Sequence, residues 1–204
     1  MSALSKINHT SGILLSGGRN SRMGMNKAFL EIDGIRLIDK ILTIYRACFS
    51  DIIIVTNDPL SYLEFIDTTV VTDIYKGKGP LCGIYTGLFY ASHPYAFVSA
   101  CDMPHFNKDF VNYLISQKDN HDIIVPETHE GYQPLHAVYS RRCLPSMKRL
   151  LDLDKLKIIG FYRDMRVLAI HEEKIRPYNP DGRLFQNLNT PEDVAQVKIL
   201  KSLS

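Results

Sequence analysis

The sequence predicts an α/β fold in which helices cover both faces of a mostly parallel sheet. Short β-rich apolar runs alternate with stretches of helical periodicity, the arrangement expected of such a layered fold. The run 95–100 is almost continuously apolar, as in strands buried on both faces of a parallel sheet. Polar or glycine-rich segments follow the strands, and the carboxyl ends of strands are where open α/β sheets bind ligands.

In chain order, the first strand is expected at residues 12–16, followed by a polar, glycine-bearing loop at 17–27. A helix comes next, with Ile38, Ile41, Leu42, Tyr45 and Phe49 on one stripe. Strands are expected at 51–56 and 69–72. The glycine-rich turn 77–80 then leads into a helix in which Pro80 occupies the first turn and Ile84, Leu88 and Ala91 follow. The buried strand 95–100 delivers Cys101, Asp102, Met103 and Pro104 at its end. A helix at 107–117 and a strand at 122–126, closed by a proline, come after it. Beyond Pro134 the pattern predicts strands at 135–139, 157–160 and 166–170 and a helix at 144–151. Thr190, Pro191 and an acid three residues past the cap mark a last helix, with Val194, Val197 and Leu200 docking it.

A chain of 204 residues with 45% hydrophobic and 23% charged residues suits a soluble globular protein. It reads as one domain, 1–204, with a regular part over about 11–126 and a less regular part over about 127–204. The net charge of +2 gives no electrostatic footprint for nucleic acid. No apolar stretch approaches the roughly 18 residues of a membrane span, and the opening residues hold no signal-like apolar run, so a cytoplasmic location is expected. Cys48, Cys82, Cys101 and Cys143 form no CxxC pair. The histidines show no metal-ligand spacing and are expected at the surface or in local hydrogen bonds.

The loop from Leu15 to Lys27 is the most informative segment. It follows a strand and gathers Gly17, Gly18 and Gly24 with Arg19, Arg22 and Lys27. Glycines let backbone N–H groups turn toward an anion, and the cations add charge-assisted donors suited to a triphosphate. The loop contains neither GxGxxG nor the Walker glycine-lysine-Ser/Thr, which argues against a nicotinamide dehydrogenase and a P-loop NTPase. Asp102, at the end of an apolar strand, must reach solvent or meet a cation. Mg2+ fits, being a hard ion that takes one or two carboxylates together with phosphate oxygens and water. Asp73 and the 77–83 turn stand past a third strand, where a base or ribose can be held.

Taken together, LSGGRNSRMGMNKAFLEIDG, VVTD, KGKGPLCGI, SACDMP, QPLHAVY and FQNLNTPEDV resemble, in this order and over nearly the whole chain, the molybdenum cofactor guanylyltransferase family. The resemblance implies a Rossmann-like, three-layer nucleotidyltransferase fold, with a nucleotide-binding part over about 11–126 and an acceptor-side part over about 127–204. It also implies an enzyme that uses GTP and Mg2+ to transfer GMP to the terminal phosphate of molybdopterin-bound molybdenum cofactor, with cofactor-insertion and delivery proteins as further partners. By the family pattern Gly17, Gly18, Arg22 and Lys27 hold the triphosphate, Asp73 with Gly79, Pro80 and Leu81 holds guanosine, and Asp102 binds the metal. Leu15, Ser16, Arg19 and Asn57 complete the nucleotide set. Lys27, Arg22 and Asp102 are the catalytic candidates, and Arg163, Asn187 and Asn189 the acceptor-side ones.

Two departures stand out. Asn26 occupies the position before the lysine where the family usually has aspartate. An expected arginine pair is absent, with Lys155 and Lys157 nearby and Arg163 matching. Gly17 also separates this chain from related cytidylyltransferases, which tend to carry alanine there. The alternatives are a cytidylyl or sugar-1-phosphate nucleotidyltransferase and a non-catalytic GTP-binding regulator.

Overall fold

The computed structural model describes residues 9–17, 26–32 and 34–188. The helix expected from Thr190 onward lies outside the described residues. The strands are β1 (Thr10–Leu15), β2 (Glu31–Ile32), β3 (Ile35–Arg36), β4 (Ile52–Val55), β5 (Thr69–Val71), β6 (Tyr95–Ala100), β7 (Ile123–Thr128), β8 (Gly131–Tyr132), β9 (His136–Ser140) and β10 (Val167–His171). The helices are α1 (Leu37–Cys48), α2 (Gly79–Tyr90), α3 (Lys108–Ser116), α4 (Leu144–Asp152) and α5 (Glu172–Ile175). The main sheet has the order β10-β7-β9-β6-β1-β4-β5, with β8 paired to β7. β1 pairs in parallel with both β4 and β6, and β9 runs antiparallel to β6 and β7. The expected α/β architecture with a mostly parallel sheet is therefore present.

Two apolar cores fill the space above and below the sheet. One joins Leu14, Ile54 and Phe97 to Ile38, Ile41 and Tyr45 of α1 and Phe110 and Leu114 of α3. The other joins Ile13, Leu15, Val55 and Val98 to Leu81, Ile84 and Leu88 of α2 and Met147 and Leu151 of α4. Alternation along β1 sends successive side chains to opposite layers, which makes three layers from one strand pattern.

The helices press on β1 from both sides. A Cβ at Gly12 would stand 2.5 Å from Phe49 Cδ2 and 2.7 Å from Tyr45 Cδ1. On the other face, a Cβ at Gly87 of α2 would stand 2.5 Å from Ile13 Cγ2. Only glycine permits these separations.

Several local expectations change. Residues 157–160 do not form a strand: Ile158–Asp164 is a 3-10 helix whose buried side chains, Ile158, Phe161 and Tyr162, recur at helical spacing. β7 runs on through Pro126 to Thr128, because its ladder with β9 involves only Ile123 and Ile124, and a proline is tolerated where that neighbour is missing. A β2–β3 hairpin, turning at Gly34 with φ 72°, fills the segment ahead of α1. His136 is fully buried and lies in neither predicted histidine setting. Its ring sits among Phe97, Phe106, Phe110 and Phe185, and neither nitrogen has a hydrogen-bond partner among the described residues. Burial lowers its pKa to about 3, so it is neutral. The four cysteines are buried free thiols, and among the described residues no helix is long and apolar enough to cross a membrane.

The close approach at Gly87 yields a stability prediction. Gly87→Ala overpacks the α2–β1 contact and should cost about 2 kcal/mol. At roughly 2–4 °C per kcal/mol for a domain of this size, thermal melting should fall by about 4–8 °C. An unchanged or raised midpoint would mean that α2 shifts at no cost.

Candidate functional site

Parallel pairing brings the carboxyl ends of β1, β4, β5 and β6 to one edge. Ser16 N donates to Val55 O at 2.8 Å, Thr56 N to Val71 O at 2.9 Å and Cys101 N to Leu15 O at 3.0 Å. The residues just past each strand are thereby tied side by side: Ser16 and Gly17, Thr56 and Asn57, Asp73, and Cys101 and Asp102.

Lys27 and Asp102 meet at this edge. Lys27 Nζ lies 4.0 Å from Asp102 Oδ2 and donates to Leu188 O at 2.7 Å. Leu188 N in turn donates to Asp102 O at 2.8 Å, so a segment near the C-terminus closes the triangle. Both side chains are largely shielded, at 15% exposure for Lys27 and 26% for Asp102. Burial raises the Asp102 pKa, and the Lys27 charge offsets part of that effect. Lys27 opens a 3-10 turn, Lys27–Phe29, whose N-cap is Asn26; the Asn26 side chain accepts from Ala28 N at 3.1 Å. The capping role suits an amide, which explains how asparagine serves where the family usually has aspartate.

A second cluster holds Gly17, Asn57 and Asp73. Asn57 Nδ2 donates to Asp73 Oδ2 at 3.0 Å, while Asp73 Oδ1 is buried with no hydrogen-bond partner among the described residues. Burial again raises the carboxyl pKa, opposed by the Asn57 bond. Gly17 faces this pair, since a Cβ there would lie 3.4 Å from Asn57 Nδ2. The segment after Asp73 is fastened to α2 by Ile74 N donating to Thr86 Oγ1 at 3.1 Å and Tyr75 N donating to Cys82 Sγ at 3.4 Å. Gly77 and Gly79 take positive φ, 77° and 66°, in the turn that starts α2, and Pro80 fills the first helical turn. Leu81 is buried beneath it.

An orphaned buried carboxylate oxygen is suited to a ligand donor, and a shielded carboxylate beside one lysine is suited to a cation. Among the described residues no group of three His, Cys, Asp or Glu gathers. Asp102 would thus stand as a single protein carboxylate, a set that fits Mg2+ completed by phosphate oxygens and water.

Of the sequence-predicted residues, Leu15, Ser16, Gly17, Lys27, Asn57, Asp73, Gly79, Pro80, Leu81 and Asp102 fall at this edge or in the turn behind it. Asn187 is exposed and precedes Leu188, whose backbone bonds Lys27 and Asp102. Gly18, Arg19, Arg22 and Asn189 lie outside the described residues. Arg163 sits elsewhere, on the Ile158–Asp164 helix. There it lines a groove of about 460 Å³ with Arg149, Lys155 and Lys157 over Leu150 and Leu153. Asp154, between the groove residues Leu153 and Lys155, pairs with Lys78 of the 77–80 turn at 2.6 Å. Sequence reasoning passed over Tyr62, whose hydroxyl bonds both Ser16 and Asn26; no spacing rule connects it to residues so distant in sequence.

The family model described as the MobA-like NTP transferase domain matches residues 12–167. A molybdenum cofactor guanylyltransferase from Desulfosudis oleivorans is 40% identical over 189 residues, covering 92% of this chain and 93% of that protein. The crystal structure of molybdopterin-guanine dinucleotide biosynthesis protein A from Archaeoglobus fulgidus shares the fold. Its TM-score is 0.81 at 24% identity, covering 96% of this chain and 100% of the other. The same architecture extends to a 4-diphosphocytidyl-2C-methyl-D-erythritol synthase from Anaerococcus prevotii, with TM-score 0.69 and 12% identity over 99% and 100% of the two chains. Fold alone thus does not choose the base. Matched along most of its length by the family model and by its relative, the chain belongs to the MobA-like molybdenum cofactor guanylyltransferase family of the nucleotidyltransferase superfamily.

Proposed function

We propose that this nucleotidyltransferase moves GMP from GTP to the terminal phosphate of molybdopterin-bound molybdenum cofactor, releasing pyrophosphate and forming a guanine dinucleotide cofactor. The observation that carries the proposal is the Lys27–Asp102–Leu188 triangle at the carboxyl ends of β1 and β6. A cation and a shielded carboxylate side by side suit a triphosphate and its metal. Similarity to a guanylyltransferase over nearly the whole chain supports GTP as the donor.

The acceptor is a phosphate monoester, largely ionised near neutrality, so its oxygen attacks the α-phosphorus as the bond to pyrophosphate breaks. No general base is required, and positioning with charge neutralisation supplies the catalysis. Lys27, together with Arg22, stabilises the charge that builds on the departing pyrophosphate. Leu15, Ser16, Gly17, Gly18 and Arg19 line the phosphates. Asp73, held by Asn57, takes a donor of the guanosine with its open Oδ1, and the Gly79-Pro80-Leu81 turn backs it. Asp102 would hold Mg2+, which when bound supplies positive charge against the phosphate oxygens. Asn187 and Asn189 contact the acceptor where it meets the nucleotide, and Arg163 contacts its anionic periphery from the basic groove.

Asp102→Asn separates activity from stability. The raised pKa means that the native state holds this proton more tightly than the unfolded chain does. The group therefore favours folding at low pH, and that contribution is lost as pH rises through the folded pKa. An amide escapes the cost of ionisation, so the variant should melt no lower than wild type at neutral pH. Its kcat should fall by at least tenfold, about 1.4 kcal/mol. Retained turnover under saturating Mg2+ would remove Asp102 from the metal site.

Lys27→Ala should cost on the order of a hundredfold in kcat/KM for GTP. A defect confined to the acceptor KM would be the contrary result. With GTP, CTP and ATP in competition, GTP should be preferred by at least about a hundredfold in kcat/KM, roughly 2.7 kcal/mol. Equal or preferential incorporation of CMP would point to the cytidylyl alternative. Nucleotide binding with no pyrophosphate release when acceptor is supplied would point to a regulator.

A further inference from the structure

Tyr62 is used by none of the roles above, yet it is fully buried beneath them. It ends the 3-10 turn Pro59–Tyr62, and its ring packs against Phe29 at 5.2 Å and Phe65 at 6.2 Å between centroids. Its hydroxyl oxygen lies 2.6 Å from Ser16 Oγ, accepts from Asn26 Nδ2 at 2.9 Å and stands 3.4 Å from Ser16 O. Ser16 is the first residue past β1, and Asn26 caps the turn that presents Lys27. One phenolic oxygen therefore joins the strand end to the lysine-bearing turn, across the sequence stretch 17–25.

Charge and packing hold this oxygen in place. Burial raises the phenol pKa, so the group remains a neutral hydroxyl able to donate and accept at once. With Asn26 donating to it, its own proton is free for Ser16. The Arg36 guanidinium lies 5.7 Å from the Phe29 ring centroid and 5.6 Å from that of Phe65. It donates to both Glu64 oxygens, at 2.7 and 2.8 Å, and to both Asp39 oxygens, at 2.6 and 3.1 Å. The segment carrying Tyr62 is thus fastened both to the start of α1 and to the Lys27 turn. Asn26 is matched to this role, since an amide offers an acceptor to Ala28 N and a donor to Tyr62, whereas a carboxylate has no donor.

We propose that Tyr62 is a positioning residue for nucleotidyl transfer, its hydroxyl fixing the separation of Ser16 from Lys27 so that both meet the triphosphate in register. The proposal rests on the reading that Ser16 and Lys27 hold the triphosphate. Misplacement by a fraction of a bond length weakens charge-assisted contacts, and reaction rates are sensitive to such shifts. Because the Tyr62 hydroxyl bonds Ser16 and Asn26 and also interacts with Thr56, all at the edge where the nucleotide is proposed to bind, its effect belongs on the nucleotide.

The test is Tyr62→Phe in the full chain, which keeps the ring packing and removes one oxygen. Titration calorimetry with GTP and Mg2+ should give a Kd raised about tenfold, and KM for GTP should rise with it while the acceptor KM stays within about twofold. Asn26→Ala, which breaks the connection from the other side, should cost less when combined with Tyr62→Phe than when made in wild type, because both substitutions cut one link. GTP binding by Tyr62→Phe within about twofold of wild type, equal rises in both KM values, or losses that simply multiply would overturn the proposal. Wild-type protein that binds CTP in place of GTP would overturn the guanylyl reading, with the same comparison then made on CTP. Wild type binding no nucleotide would overturn both.

Discussion

Helices pressed against both faces of β1 set the terms for everything else in the molecule. Gly12 admits Tyr45 and Phe49 on one face, and Gly87 admits Ile13 on the other, so the strand is clamped at separations that no side chain could occupy. Clamped in the centre of the sheet, β1 has β4 and β6 as parallel neighbours, and the residues just past all three strands come out at one edge. The phosphate-binding candidates at 15–17, the Asn57–Asp73 pair and Asp102 are neighbours because of this packing, though they are scattered along the sequence.

The edge so formed stores electrostatic tension. Asp73 and Asp102 are both carboxylates whose ionisation is opposed by burial and only partly offset, by Asn57 for the first and by Lys27 with a backbone hydrogen bond for the second. Ion pairs made for stability look different in this chain. Asp122 is held below its ordinary pKa by Arg166, with Arg142 adding to the effect, and Arg36 grips Asp39 and Glu64 together. Under-compensated acids gathered at a strand edge make this edge the candidate ligand site.

Much of this was legible in the sequence, for reasons that differ from place to place. Continuous apolar runs such as 95–100 reveal buried strands, and the polar residue that follows each run identifies the candidate edge, since open α/β sheets bind ligands beyond the carboxyl ends of their strands. Strand direction leaves no such mark, so nothing in the 136–140 pattern tells that β9 runs against its neighbours. The run Ile158-Ile159-Gly160 reads as a strand by composition, but Phe161 and Tyr162 must turn to the same core as Ile158, and a helical turn is what brings them there. His136 lies beyond residue-type averages, because its surroundings are assembled from four phenylalanines on three separate segments. Tyr62 is invisible for the same reason, its partners lying 36 and 46 positions away.

The bond from Lys27 to the carbonyl of Leu188 spans 161 positions of sequence. A contact of that reach forms late, since the entropy of closing so long a loop must be met by sheet pairing already in place. During synthesis, the strands that frame the edge can assemble from residues 10–100 while Leu188 has yet to leave the ribosome. The segment that bonds both the lysine and the backbone of the carboxylate residue is thus made long after the strands that present them.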